Sequence, residues 1–183
     1  MRVEAFPPLK EQKIMTLEEA IKTAIAYETK IQNLYQEAQR VVADPVGKRI
    51  FKALADDEQN HVAYLQDRLE QWRKTGALSP DKLETTLPEM DVVSRGKEEL
   101  SSRMEREDRN DEKQMLSKAL SVEIETSNFY EKMVSELQAE GRRMFARFLE
   151  IEAGHIQIVQ AELDFISHTG YWFDFKEFDM EEL

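Results

Sequence analysis

Residues 51–61 read FKALADDEQNH, and residues 145–155 read FARFLEIEAGH. Laid over one another, Phe51, Leu54, Glu58, His61, Leu65 and Leu69 fall on Phe145, Phe148, Glu152, His155, Val159 and Leu163. The apolar residues recur at steps of three and four, the period of one helix face. On that face each stretch carries a Glu and, three residues later, a His. A residue at i+3 lies one turn along the same side of a helix. Glu58 and His61 therefore point together, as do Glu152 and His155.

The segments upstream repeat as well. AIAYETKIQNLY at 24–35 matches ALSVEIETSNFY at 119–130, which places Ile21, Ala24, Glu28, Leu34 and Tyr35 on Leu116, Ala119, Glu123, Phe129 and Tyr130. Each half is thus a helical hairpin with one plan, and two such hairpins pack with approximate two-fold symmetry. The pattern predicts an all-α, antiparallel four-helix bundle forming a single domain over 1–183. Its core helices are expected at about 17–43, 46–75, 112–140 and 142–167, with a long crossover over 76–111 and a tail over 168–183.

Local signals set these boundaries. Thr16 with Glu19 fits a capping box. Asp44 and Pro45 suit the N-cap and first position of the second helix. The link before Asp44 is so short that the first two helices must be antiparallel neighbours. Gly76 and Gly141 are the expected stops of the second and third helices. Pro7 and Pro8 make the N-terminal arm irregular. Ser79-Pro80, Pro88 and Gly96 interrupt the crossover, where the charged stretch Lys97–Arg109 reads as a solvated helix. The tail TGYWFDFKEFDMEEL is aromatic and acidic, suited to docking on the bundle or on a second subunit.

Composition agrees. Only six Gly and five Pro in 183 residues, with 34% charged and 41% hydrophobic, describe a helical chain. The absence of cysteine excludes disulfides, thiolate metal sites and cysteine-bound iron–sulfur clusters. A net charge of −12 argues against a nucleic-acid partner. No apolar run is long enough for a bilayer span, and MRVEAFPPLKEQK lacks the apolar region of a signal peptide. A cytoplasmic location without membrane contact is the expectation.

The polar residues on the inward stripes carry the chemistry. Four carboxylates gathered in a core repel one another and cost several kcal/mol each to desolvate. Two divalent cations offset four negative charges. Carboxylates bridge metals, and imidazole suits iron and zinc. By symmetry Glu58 and Glu152 are the natural bridges, with Glu28 and His61 terminal on one ion and Glu123 and His155 terminal on the other. The oxygen-rich set favours two Fe ions, with Mn or Zn possible in their place. Tyr35 and Tyr130 follow their glutamates by two helical turns. They read either as phenols that hydrogen-bond the carboxylates or relay electrons, or as ordinary core tyrosines. Tyr64 and Trp72 read as packing residues, the methionines as gap-fillers and His168 as a helix-end or surface residue.

Glu28, Glu58-x-x-His61, Glu123 and Glu152-x-x-His155, with their flanking text, resemble the ferritin-like di-iron carboxylate superfamily and most closely its rubrerythrin branch. The Glu and Glu-x-x-His ligand plan is a known pattern of that superfamily. The resemblance spans about 17–167. It implies a ferritin-like bundle with a long crossover and a di-iron centre that reacts with hydrogen peroxide or oxygen in oxidative-stress defence. Glu28 and Glu123 would shift coordination, and the protein would be a homodimer. Rubrerythrins proper also carry a rubredoxin domain whose iron is held by four cysteines. This chain has no cysteine, so a separate electron donor such as a rubredoxin is implied. Where rubrerythrins proper hold an extra Glu, one turn after the first Glu of the third helix, this chain has Thr126. A ferroxidase or iron-handling role and a di-manganese, catalase-like role are the alternatives.

Overall fold

The computed structural model describes residues 15–79, 83–87 and 110–173. Four helices make up the bundle. They are α1 (Leu17–Val41), α2 (Pro45–Thr75), α3 (Asn110–Glu136) and α4 (Ala139–Thr169). α1 packs mainly on α2 and α3 on α4, and the two hairpins meet chiefly through α1 and α3. The architecture is the expected all-α bundle of two hairpins.

The starts of α1 and α2 follow the sequence signals. The Thr16 hydroxyl accepts from the Glu19 amide at 3.2 Å while the Glu19 carboxylate accepts from the Thr16 amide at 2.9 Å, so two otherwise orphaned donors are satisfied together. Asp44 Oδ1 accepts from the amides of Val46 and Gly47 at 2.7 and 3.3 Å ahead of Pro45. α2 ends at Gly76, whose φ of 69° lies in the left-handed region that glycine enters without strain.

The turn between α3 and α4 corrects the expected boundaries. α3 stops at Glu136 rather than 140, and α4 begins at Ala139 rather than 142. Gly141 is not a helix stop. It lies within α4, buried where a Cβ would stand 2.9 Å from Leu17 Cδ1. The glycine serves close packing, while the reversal falls on Leu137, Gln138 and Ala139, the last with a φ of 47°.

The core is in two parts. One contains Ile31, Phe51, Leu54, Leu116, Val159 and Phe165, and the other Ile21, Ala24, Leu65, Met133, Phe145 and Phe148. On every helix the expected metal-binding residues fall between these parts, so a polar layer crosses the middle of the bundle. Leu78, Leu83 and Leu87 of the crossover are buried. The N-terminal arm and the Lys97–Arg109 stretch lie outside the described residues. Among the described residues no helix is long and apolar enough to cross a membrane.

The start of the tail docks on the bundle. Trp172 stands edge-on to Phe51 with ring centroids 5.3 Å apart, and Phe173 packs on Phe165 at 5.8 Å. The indole lies over Gly47, where a Cβ would come within 2.6 Å of its ring. Gly47→Ala is therefore expected to push the indole out of its seat and to destabilise the protein by about 1–3 kcal/mol. Chemical denaturation checks this, and wild-type stability in the variant would refute the seating of Trp172.

Candidate metal centre

Glu28 comes from α1, Glu58 and His61 from α2, Glu123 from α3, and Glu152 and His155 from α4. All six side chains are at most 1% exposed. The structure brings them together. Glu58, His61, Glu152 and His155 each offer a ligand atom within 4.8 Å of the others. Glu28 Oε2 lies 3.2 Å from His61 Nδ1, and Glu123 Oε1 lies 3.8 Å from His155 Nδ1. The two imidazoles stack with centroids 5.3 Å apart. Glu58 stands between them. Its Oε2 is 3.0 Å from His61 Nδ1 and its Oε1 is 2.8 Å from His155 Nδ1.

The tyrosines cross between the hairpins. The Tyr35 hydroxyl donates to Glu123 Oε1, and the Tyr130 hydroxyl donates to Glu28 Oε1. Burial, together with the facing carboxylates, pushes both phenols well above their ordinary range. Of the two readings that the sequence left open, the geometry favours the phenol–carboxylate one.

Thr126 is buried, and its hydroxyl donates back to Val122 O at 3.0 Å. It thus serves its own helix and brings no carboxylate to the position of the extra Glu. Glu125 is turned to the surface, where it pairs with Lys30 at 2.5 Å. Tyr64 packs edge-on against Phe148, and exposed His168 bonds Asp164 O at 2.6 Å.

Sequence reading missed Asp57. This fully buried carboxylate faces both imidazoles, with Oδ2 accepting from His155 Nε2 at 3.1 Å and lying 3.5 Å from His61 Nε2. It leaves Nδ1 of each ring turned to the glutamates, which is the nitrogen available to a metal. The repeat hid it, because the matching position holds Ile151. The available signal was an acid four residues before His61, on the same face.

The electrostatics of this layer are uneven. Burial, then the Glu58 charge, pushes Glu28 up to about 8. Burial, then Glu28 and Glu123, holds Glu152 well above the carboxylate range, and burial with Glu58 raises Glu123. Burial works the other way on Glu58, but the charges of His155 and His61 outweigh it and hold Glu58 well below that range. Burial opposes charge on the rings too, yet the Glu58 carboxylate wins and raises His61 to about 10 and His155 well above its usual value. Burial also opposes charge on Asp57, but bonds from His155 and Thr86 keep it well below the usual carboxylate range.

Both Glu152 oxygens, Glu123 Oε2, Glu58 Oε1 and His155 Nδ1 are buried without a well-formed hydrogen bond among the described residues. Buried polar atoms are rarely left so. These orphaned atoms, together with the Nδ1 of His61, form an oxygen-rich donor set with two imidazole nitrogens, and that set fits a pair of divalent cations. The chain therefore carries a buried Glu/His cluster suited to a di-metal site. No curated protein and no solved structure matches the chain. A family model described as Rubrerythrin matches residues 2–69 and 19–163. With the bundle, the duplicated hairpin and the buried cluster in place, that match establishes that the chain belongs to the rubrerythrin family.

Proposed function

We propose that the chain is a non-haem di-iron oxidoreductase that reduces hydrogen peroxide, or oxygen, with electrons from a separate donor protein such as a rubredoxin. The observation that carries this reading is Glu58, whose two oxygens each face one imidazole. A carboxylate so disposed would suit a bridging role between two ions, each with its own histidine. Glu152 would serve as the second bridge. Glu28 with His61 and Glu123 with His155 would hold the two ions from either side. A reduced iron pair, when bound, supplies the two electrons that conversion of hydrogen peroxide and two protons to two waters consumes.

The protein's own groups set the conditions for that chemistry. The Tyr130 and Tyr35 hydroxyls fix one oxygen of Glu28 and of Glu123. The second oxygen of Glu28 stays turned to His61, and that of Glu123 is left without a bond, so these carboxylates can change the number of oxygens they offer. Apolar layers on both sides of the site exclude bulk water. The chain acts in oxidative-stress defence in the cytoplasm, as a homodimer.

Stopped-flow mixing of the reduced, iron-loaded protein with peroxide tests the proposal. Oxidation well above the rate of free ferrous ion, with water as product and turnover sustained by reduced rubredoxin, is expected. Oxidation no faster than that of free ferrous ion would overturn it. Growth of large mineral-bearing assemblies, seen by light scattering, would point to iron storage instead. Disproportionation of peroxide only by manganese-loaded protein would point to the catalase-like role.

A further inference from the structure

Residues 83–87 of the crossover run past the Nε2 side of the two imidazoles. Leu83 is buried in the core part that contains Phe148, and Leu87 in the part that contains Phe51. This short strap is therefore pinned at its two ends on opposite sides of the polar layer. Between the leucines it makes three bonds to one side chain. The Thr85 hydroxyl donates to Asp57 Oδ2 at 2.7 Å, and the amide and hydroxyl of Thr86 each donate to Asp57 Oδ1 at 2.8 Å. Arg147 of α4 adds a bond to Leu83 O at 3.0 Å.

Packing does little to hold the middle of the strap. Thr85 and Thr86 are exposed. A cavity of about 350 Å³ lies between the strap and α4, bordered by Thr85, Leu87, Arg147, Gly154 and His155. The strap is thus held at its centre by its bonds to Asp57, the same carboxylate that faces both imidazoles.

We propose that the strap is a working arm of the metal centre. Thr85 and Thr86 position Asp57, Asp57 positions His61 and His155, and metal binding and strap docking therefore stabilise each other. The inference rests on the di-metal reading. Groups that orient a ligating histidine typically change metal affinity by about 10–100-fold when removed. Coupling of this kind is reciprocal, so the bound metal must tighten the strap as much as the strap tightens the metal.

The test uses the full chain and ferrous ion under anaerobic conditions, with affinity read by competition against a chelator. The double substitution Thr85→Val, Thr86→Val removes the two hydroxyl donors from an exposed segment and leaves all six Glu and His groups in place. It is expected to weaken ferrous binding about tenfold while leaving metal-free helix content unchanged, and Asp57→Asn is expected to weaken it further within the 10–100-fold range. Thr85→Ser, Thr86→Ser keeps both hydroxyls and should retain wild-type affinity. Hydrogen exchange supplies an independent readout, with the Thr86 amide exchanging more slowly in loaded than in metal-free wild type. If Asp57→Asn fails to fold, the threonine variants and the exchange measurement decide. Normal loading of wild type with unchanged affinity in the valine variant overturns the inference alone. Failure of wild type to take up two ions overturns the di-metal reading, and the inference with it.

Discussion

Glu58→Ala and Glu152→Ala are each expected to abolish uptake of two ferrous ions per chain and to lower the melting temperature of the protein measured in excess metal. A ligand present at a thousand times its dissociation constant stabilises the folded state by about 4 kcal/mol per site. For a chain of this size each kcal/mol is worth roughly 2–4 °C. Loss of the pair should therefore cost on the order of 10 °C or more in the loaded state. Retention of two ions by both variants would overturn the bridging assignment.

Without metal the two glutamates should part company. Ionised Glu58 lies between two imidazoles that it holds in their charged form. Glu58→Gln removes the anion and leaves buried cations poorly paired, which typically costs about 3–5 kcal/mol. Glu152 is held toward its neutral form by burial and by the other glutamates, and neither of its oxygens makes a hydrogen bond among the described residues. Glu152→Gln should then change metal-free stability by less than about 1 kcal/mol. Urea denaturation of the two metal-free variants measures the difference. Equal losses would show that the charge asymmetry is absent.

Opposite pH slopes for the metal-free and loaded forms are the second large expectation. A carboxyl raised to about 8, as Glu28 is, keeps its proton in the folded chain while the unfolded chain ionises near its model value of 4.5. Folding then binds a proton, so stability falls as pH climbs through that window. His61 acts in the same direction. Its contribution is complete below the unfolded value of 6.5 and is lost as pH rises to about 10. Glu58 works oppositely, with stability present above 4.5 and lost in more acidic solution. The metal-free protein should thus be most stable in mildly acidic solution and weaken steadily toward alkaline pH.

Metal reverses this trend. Cations require neutral imidazole and ionised carboxylate, so loading must expel protons from Glu28, Glu152, His61 and His155. Each proton expelled makes affinity rise by about tenfold per pH unit. Titration calorimetry in buffers of different ionisation enthalpy counts the protons, and thermal melts from pH 5 to 9 compare the slopes. Uptake of metal without proton release, or parallel slopes for the two forms, would contradict the proton inventory of the site.

The bundle and the six converging groups were legible because the sequence states them twice. Phe51, Leu54, Glu58 and His61 read against Phe145, Phe148, Glu152 and His155 fix period, facing and register together. What breaks the repeat could not be read that way. Asp57 answers to Ile151, and the strap threonines belong to the crossover, which has no duplicate. Gly141 misled for a different reason. Glycine marks both left-handed turns and close approaches, and only the position of Leu17 in three dimensions shows that the second applies. The tyrosines were placed near the carboxylates, but their exchange between hairpins depends on how α1 and α3 pack, a matter that one helix's periodicity does not contain.

That exchange bears on how small a unit could build the centre. Each hairpin sends its phenol to the other's glutamate, so neither half is self-sufficient, whereas two copies of one half about a two-fold axis could supply every group. The halves are unequal in this respect. A symmetric pair of first hairpins would own two copies of Asp57, and a pair of second hairpins none. An ancestor or a minimal design assembled from the first half would begin with its imidazoles already oriented, and one assembled from the second would have to acquire that acid anew.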